Sequence, residues 1–426
     1  MLRSISAFHP GGAPFAYVPL DHPFLNRLRE HVLFAAGPIG SSILALKPTP
    51  GDYGGLDGCN EYLTVSRPEL VAGIQLSFYA AGCDAVDAAT FGANRVVFAE
   101  YGIAERVREI NRLAAQQLNA VRDEFSSPGW PRYSFGTMGP GTKLPSLGHI
   151  TYDELVESYR EQARGLIEGG IDVLKVETCQ DLLQTKAALG AIGDVFEELG
   201  VRLPVIASVT IETTGTMLLG SDIACALTTL EALDIVDVIG INCATGPEPM
   251  AEHVRYLAEH SRRPVFIGPN AGIPELRGGE TCYPLTPERF AEFHRIFVDE
   301  FGINIAAGCC GTTPAHFEAL IAAIGRRPPK PRAPQFEHAV SSLYTSVPIE
   351  QETSFLVVGE RLNATGSRAF RDLLLAGDLD GMVEMAKEQA AEGAHVLDVM
   401  VDYVGRDGPP DMERLVRELR TQSTQR

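Results

Sequence analysis

Along the first three quarters of the chain one pattern returns. An amphipathic stretch leads through a glycine or turn into a short apolar run, which ends in small or polar residues. It is written in AAGCDAVDAATF (80–91), EGGIDVLKVET (168–178), LDIVDVIGINCATG (233–246) and FGINIAAGCCG (301–311). Four more apolar runs, HVLFAAG (31–37), YSFGTMGP (133–140), PVIASVTI (204–211) and PVFIGPNAG (264–272), bring the predicted strands before Gly325 to eight. Apolar runs without polar alternation suit strands covered on both faces of a parallel sheet. Between them, SRPE (66–69) and TYDE (151–154) predict capping boxes that open amphipathic helices ending near Gly82 and Gly169. Strands alternating with helices in this number predict an α/β fold, a (β/α)8 TIM barrel. An open doubly wound sheet fits less well, because no G-x-G-x-x-G turn follows the first strand.

The pattern breaks at RRPPKPRAPQ (326–335), a proline-rich basic segment that reads as an extended linker. After it, SFLVVGERLNATGSRAF (354–370) and EQAAEGAHVLDVMVDYVGRDG (388–408) supply two more βα units. The predicted organisation is an N-terminal extension (1–24), the barrel (25–325), a linker (326–353) and a truncated second α/β barrel segment (354–426). Two βα units cannot close a barrel, and such a tail is expected to bury no core of its own.

Charge narrows the partners. A net charge of −19 with no long Lys/Arg run excludes nucleic acid and anionic membrane surfaces as partners and leaves small molecules. The N-terminal stretch lacks an apolar h-region and no run approaches a membrane span, so a cytoplasmic location is expected. Eight cysteines in a chain of this kind read as reduced thiols, buried or metal-bound, and not as a disulfide framework.

On a barrel, Cys243 ends the sixth strand and Cys309 and Cys310 end the eighth, so three thiols distant in sequence meet on one rim. Three thiolates with an open fourth position make a catalytic zinc arrangement, and Zn2+ would take a thiol substrate there and ionise it. Glycine and alanine flank these cysteines and leave room for a ligand. The carboxylate of Glu177, ending the fourth strand, is placed to hold a substrate ammonium, or is a solvated acid at a helix start. Asn270 ends the seventh strand with the same ambiguity. His149 and His316 read as structural or solvated, and the remaining five cysteines as small core residues.

The segments GINCATGPEPM, PNAGIP and GCCGTTPAHF, in that order, resemble the zinc-dependent homocysteine S-methyltransferase family, including the homocysteine-binding module of cobalamin-dependent methionine synthases. The tail segments VVGERLNATGSRAF and GAHVLDVMVDYVGRDG are similar to the opening of the pterin-binding (methyltetrahydrofolate) barrel of those enzymes. The resemblance implies that Cys243, Cys309 and Cys310 ligate zinc and that the product is methionine. It further implies that Glu177 binds the amino group of homocysteine and that Asn363 and Asp398 lie in a pterin site. The implied partners are homocysteine and a methyl donor, either methyltetrahydrofolate or a corrinoid; methylcobalamin would come from another domain or a separate corrinoid protein. The alternatives are a corrinoid-independent enzyme using S-methylmethionine or a similar donor, against which the pterin-like tail argues, and a non-catalytic zinc-binding or interaction remnant. Three positions depart from the family pattern: Ala36 stands where the first strand usually ends in aspartate, Ala89 where asparagine is frequent, and Met400 where asparagine is common.

Overall fold

Each of the eight apolar runs forms a strand in the computed structural model, which describes residues 20–422. Residues 1–19 of the expected N-terminal extension and the last four of the tail lie outside the described residues. The strands are β1 (Leu33–Ala36), β2 (Ala85–Asp87), β3 (Tyr133–Met138), β4 (Val173–Cys179), β5 (Val205–Val209), β6 (Val238–Asn242), β7 (Val265–Gly268) and β8 (Ile305–Gly308). They pair in parallel in chain order, and β8 returns to β1 with Leu33 beside Ile305 and Ala36 beside Gly308, closing the barrel.

Strand alternation divides the barrel residues between two cores. Leu33, Ala35, Ala85, Phe135, Val173, Ile206, Val238, Phe266, Ile305 and Ala307 fill the interior. Phe34, Ala36, Val86, Leu174, Val176, Ile239 and Ile267 face the surrounding helices. The helix Pro23–Glu30 plugs the N-terminal end of the interior with Phe24, Leu25 and Leu28. Phe24 is fully buried and makes edge-on ring contacts with Tyr133 at 5.1 Å and Phe135 at 5.7 Å. Burial of such a side chain contributes about 1.5–3 kcal/mol, and Asn304 Nδ2 also donates to the Leu28 carbonyl of the plug at 3.3 Å. The polar side chains that follow the interior residues at two-residue steps, Asp87, Thr137, Lys175, Glu177 and Asn242, are thereby directed inward at the opposite, C-terminal end.

The capping expectation holds at Thr151, where the hydroxyl and Glu154 close a reciprocal box and the helix Tyr152–Glu168 ends against Gly169. It fails at Ser66. That residue completes the preceding turn, Leu63–Ser66, and donates to the carbonyl of Tyr62 at 3.3 Å. The next helix, Pro68–Ala80, starts on Pro68 with Arg67 as its cap residue. A proline in the first helical turn needs no N–H partner and fixes φ by itself, so the hydroxyl cap is dispensable.

The linker is extended but seated on the barrel. The Arg327 carbonyl accepts from the backbone of Val32, and Arg332 donates to the carbonyls of Ala258, Ser261 and Arg263. A small antiparallel ribbon, Ala339–Ser341 with Ser346–Pro348, follows it. In the tail, β9 (Val358–Asn363) and β10 (Val396–Met400) pair in parallel. Contrary to the expectation from its length, the tail has a small core of its own. Leu362, Ala364, Phe370, Leu374, Met382, Val383, Ala386, Val401, Leu415 and Leu419 pack between the two strands and three helices. The helix Gly408–Gln422 supplies Leu415 and Leu419, and two βα units plus this third helix suffice to cover one face of the pair. Arg417 pairs with Asp153 and the Arg420 guanidinium lies 3.7 Å over the Tyr152 ring, which fastens the tail to the barrel. Among the described residues no helix is long and apolar enough to cross a membrane.

Candidate active site

The backbone after β6 turns in an unusual way. Cys243 and Ala244 both adopt left-handed φ, at 62° and 55°, a conformation disfavoured for residues with a Cβ. The turn is held by the Cys243 N–H donating to the Gly268 carbonyl at 3.0 Å and by the Asn270 N–H donating to Thr245 at 3.0 Å. After β8, the Cys309 N–H donates to Pro269 at 2.9 Å and the Cys310 carbonyl accepts from Ala271 at 3.0 Å. The loop behind β7 therefore braces both cysteine loops at once. Gly311, at φ 77°, lets the chain leave Cys310 beneath the Tyr283 ring, against which any Cβ at that position would collide.

The consequence is a cluster of three sulfurs within 4.8 Å of one another. Cys243 Sγ stands 3.9 Å from Cys310 Sγ, and Cys309 Sγ 4.0 Å from Cys310 Sγ. Tetrahedral thiolate ligands on zinc at about 2.3 Å lie roughly 3.8 Å apart, so the spacing suits that ion and is far from a disulfide bond. All three thiols resist ionisation as they stand. The hydrogen bond with Cys243 and then burial push Cys310 up to about 12, and Cys243 is raised by its bond with Cys309 and by burial. A partly buried set of soft donors that repel one another's charge fits a divalent cation.

The sulfurs form one wall of a cavity of about 290 Å³ at the C-terminal end of the barrel, lined also by Gly37, Asp87, Ala89, Thr90, Thr137, Glu177 and Tyr283. Glu177 is 5% exposed, and its Oε2 accepts from Lys175 Nζ at 3.0 Å and from Asn242 Nδ2 at 3.4 Å. Asn242 also donates to Thr178 Oγ1 at 2.8 Å and approaches Cys309 Sγ at 3.9 Å, linking the acid to the sulfur cluster. Lys175 makes a second ion pair, to Asp87 Oδ2 at 2.6 Å. Burial raises the Asp87 carboxyl against the opposing pull of Lys175. Burial alone would lower Lys175, yet Asp87 and Glu177 hold its ammonium above the usual lysine range.

Of the residues singled out from sequence, Cys243, Cys309, Cys310 and Glu177 come together on this cavity. Asn270 is buried in the bracing loop with its Oδ1 unpartnered and does not line the cavity. Ala36 is fully buried toward the helices, whereas Ala89 borders the cavity. His316 caps its helix and bonds the Leu285 carbonyl, and His149 lies within hydrogen-bond reach of the Leu144 N–H; neither joins the sulfur cluster. Asn363 and Asp398 are strand residues on the face of the β9–β10 pair opposite the helices, since Leu362, Leu397 and Val399 take the helix side. Asn363 Oδ1 already accepts from Thr365 and Gly366, while Asp398 is exposed. Sequence reasoning missed Asn242, Asp87, Lys175 and Tyr283. The available signal was a lysine inside the apolar run VLKVET, two residues before Glu177 and hence on the same strand face.

Two family descriptions match separate parts of the chain. The family described as homocysteine S-methyltransferase matches residues 33–324, and that described as pterin binding enzyme matches residues 359–425. Methionine synthase of Mycobacterium tuberculosis (strain ATCC 25618 / H37Rv) is 46% identical over 404 residues, covering 95% of this chain and 34% of that protein. Methionine synthase of Mycobacterium leprae (strain TN) is 44% identical over 409 residues with the same coverage. The chain thus spans about one third of the length of these relatives. The metallated form of the homocysteine methyltransferase MmuM from Escherichia coli shares the barrel fold, with a TM-score of 0.56, 19% identity, and coverage of 68% of this chain and 96% of that one.

Proposed function

From the premise that the chain belongs to the homocysteine S-methyltransferase family, we propose that it performs zinc-dependent methyl transfer to the thiol of homocysteine, giving methionine. In this reading it is the homocysteine-activating part of a methionine synthase. The observation that carries the reading is the cluster of three sulfurs facing a cavity that also presents a buried carboxylate.

Cys243, Cys309 and Cys310 would hold the metal. Zinc, when bound, supplies the positive charge that keeps a substrate thiol ionised at neutral pH. The chain's own residues do the rest. The bracing loop at Asn270 fixes the two cysteine loops in one register. Glu177, oriented by Lys175 and Asn242, accepts from the amino group of homocysteine and so aims the sulfur at the cluster. Thr90 and Thr137 line the same cavity. Tyr283 lies over Gly311 and lines the cavity beside the sulfurs.

The match to pterin-binding enzymes in the tail favours methyltetrahydrofolate as the ultimate donor, with methylcobalamin delivering the methyl group from another domain or a corrinoid protein. In the proposed organisation, 25–325 is the homocysteine module, 326–353 the linker and 354–426 the opening of the pterin module. Asn363, through its amide N–H groups, and Asp398 would face the pterin.

Calorimetric titration of homocysteine into the zinc-loaded chain, repeated in buffers of different ionisation enthalpy, tests the reading. Binding with release of about one proton is expected, since the thiol ionises as it binds. Absence of binding with zinc in place would favour a non-catalytic remnant.

A further inference from the structure

The cavity wall contains a second acid that the proposed site does not use. Asp87 ends β2, is 2% exposed and lines the cavity. Its Oδ2 is held by Lys175 at 2.6 Å, but its Oδ1 is buried without a hydrogen-bond partner. Lys175 also serves Glu177 at 3.0 Å, so two carboxylates face one ammonium. With both acids ionised the trio carries one net negative charge and one acceptor atom without a donor. A buried acceptor of this kind is an open demand for a cationic donor.

The end of the first strand leaves space for the acid. A Cβ on Gly37 would stand 2.7 Å from Asp87 Oδ2 and 3.5 Å from Lys175 Nζ, so the bare backbone after Ala36 is what admits the pair. Ala36 itself carries no acceptor, and the carboxylate beside this end of β1 comes from the neighbouring strand.

We propose that Asp87 is a second acceptor for the α-ammonium of the thiol substrate, beside Glu177, with Lys175 as the positioning residue that fixes the orientation of both acids. The inference rests on the reading that the cavity takes an amino-acid thiol, and it assigns the basis of amine recognition there. A substrate ammonium brings the net charge of the group to zero and satisfies Oδ1. A thiol lacking the amine leaves Oδ1 unmatched. Sites built to hydrogen-bond a substrate group discriminate strongly against analogues without it.

The test is calorimetric titration of the zinc-loaded full chain with L-homocysteine and with 4-mercaptobutanoate, which keeps the thiol and carboxylate and lacks the amine. The native chain is expected to prefer homocysteine by at least about tenfold. Asp87→Asn should weaken homocysteine by at least about tenfold and leave 4-mercaptobutanoate within about twofold, collapsing the preference. A variant that keeps the preference, or that weakens both thiols alike, would overturn the role of Asp87 while leaving the thiol site standing. Failure of both thiols to bind the native chain would instead overturn the site and this inference together. Asp87→Ser, which likewise leaves Lys175 and Glu177 as a balanced ion pair, serves the same comparison if Asp87→Asn does not fold.

Discussion

The left-handed turn at Cys243 and Ala244 makes a measurable demand on the fold. A residue with a Cβ in that region costs about 1–2 kcal/mol relative to its favoured conformations, whereas glycine adopts it freely. Ala244 sits there at φ 55° and is only half-buried, so its methyl contributes little by packing. Ala244→Gly should remove the strain while giving the unfolded chain more freedom, a loss of about 0.5–1 kcal/mol. The balance is a gain of roughly 0.5–1 kcal/mol in stability. Urea unfolding of the metal-free chain, followed through the single tryptophan, Trp130, reports on the barrel. The same change loosens the hold on Cys243, so zinc affinity should fall as stability rises. A variant less stable by about 1 kcal/mol, or one that binds zinc more tightly, would show that the turn stores no strain on behalf of the sulfur cluster.

Three further outcomes are expected. Cys310→Ala should reduce bound zinc from about one per chain to near zero with an unchanged circular dichroism spectrum, because two sulfurs do not complete the site; full zinc content in that variant would refute the ligand assignment. Gly311→Ala combines a left-handed φ with a collision against Tyr283, and a loss of about 1–3 kcal/mol is expected in denaturant unfolding, where a neutral result would contradict the packing described. His294 is fully buried, and burial pulls its imidazole from 6.5 down to about 4, although both ring nitrogens lie near carbonyls of Phe290 and Ala307. The unfolded chain therefore binds the proton first as pH falls, so stability present above pH 6.5 declines toward pH 4 by roughly 3 kcal/mol. His294→Gln should flatten that slope, and an unchanged profile would place its origin elsewhere.

Much of this was legible in the chain, and for identifiable reasons. Buried parallel strands need continuous apolar runs, so all eight barrel strands announced themselves, and Thr151 with Glu154 marked a helix start by its own chemistry. Cys243, Cys309 and Cys310 were readable because a barrel gathers strand ends whatever their separation in sequence. Ser66 misled because Pro68 can begin a helix unaided. The core of the tail escaped notice because Leu415 and Leu419 belong to a helix that no glycine-strand pattern marked. The Asp87, Lys175 and Glu177 group was hidden for a different reason: it depends on β2 and β4 both directing side chains into one interior, a relation that appears only when the barrel closes.

On the proposed function, homocysteine is methylated in the sulfur-lined cavity. Zinc-loaded chain incubated with homocysteine and methylcobalamin, with methionine quantified by mass spectrometry against metal-free and Cys310→Ala controls, tests it most directly. Methionine formed by the zinc-loaded chain and by neither control is the predicted result. Homocysteine bound at full occupancy with no methionine formed above the controls would contradict it.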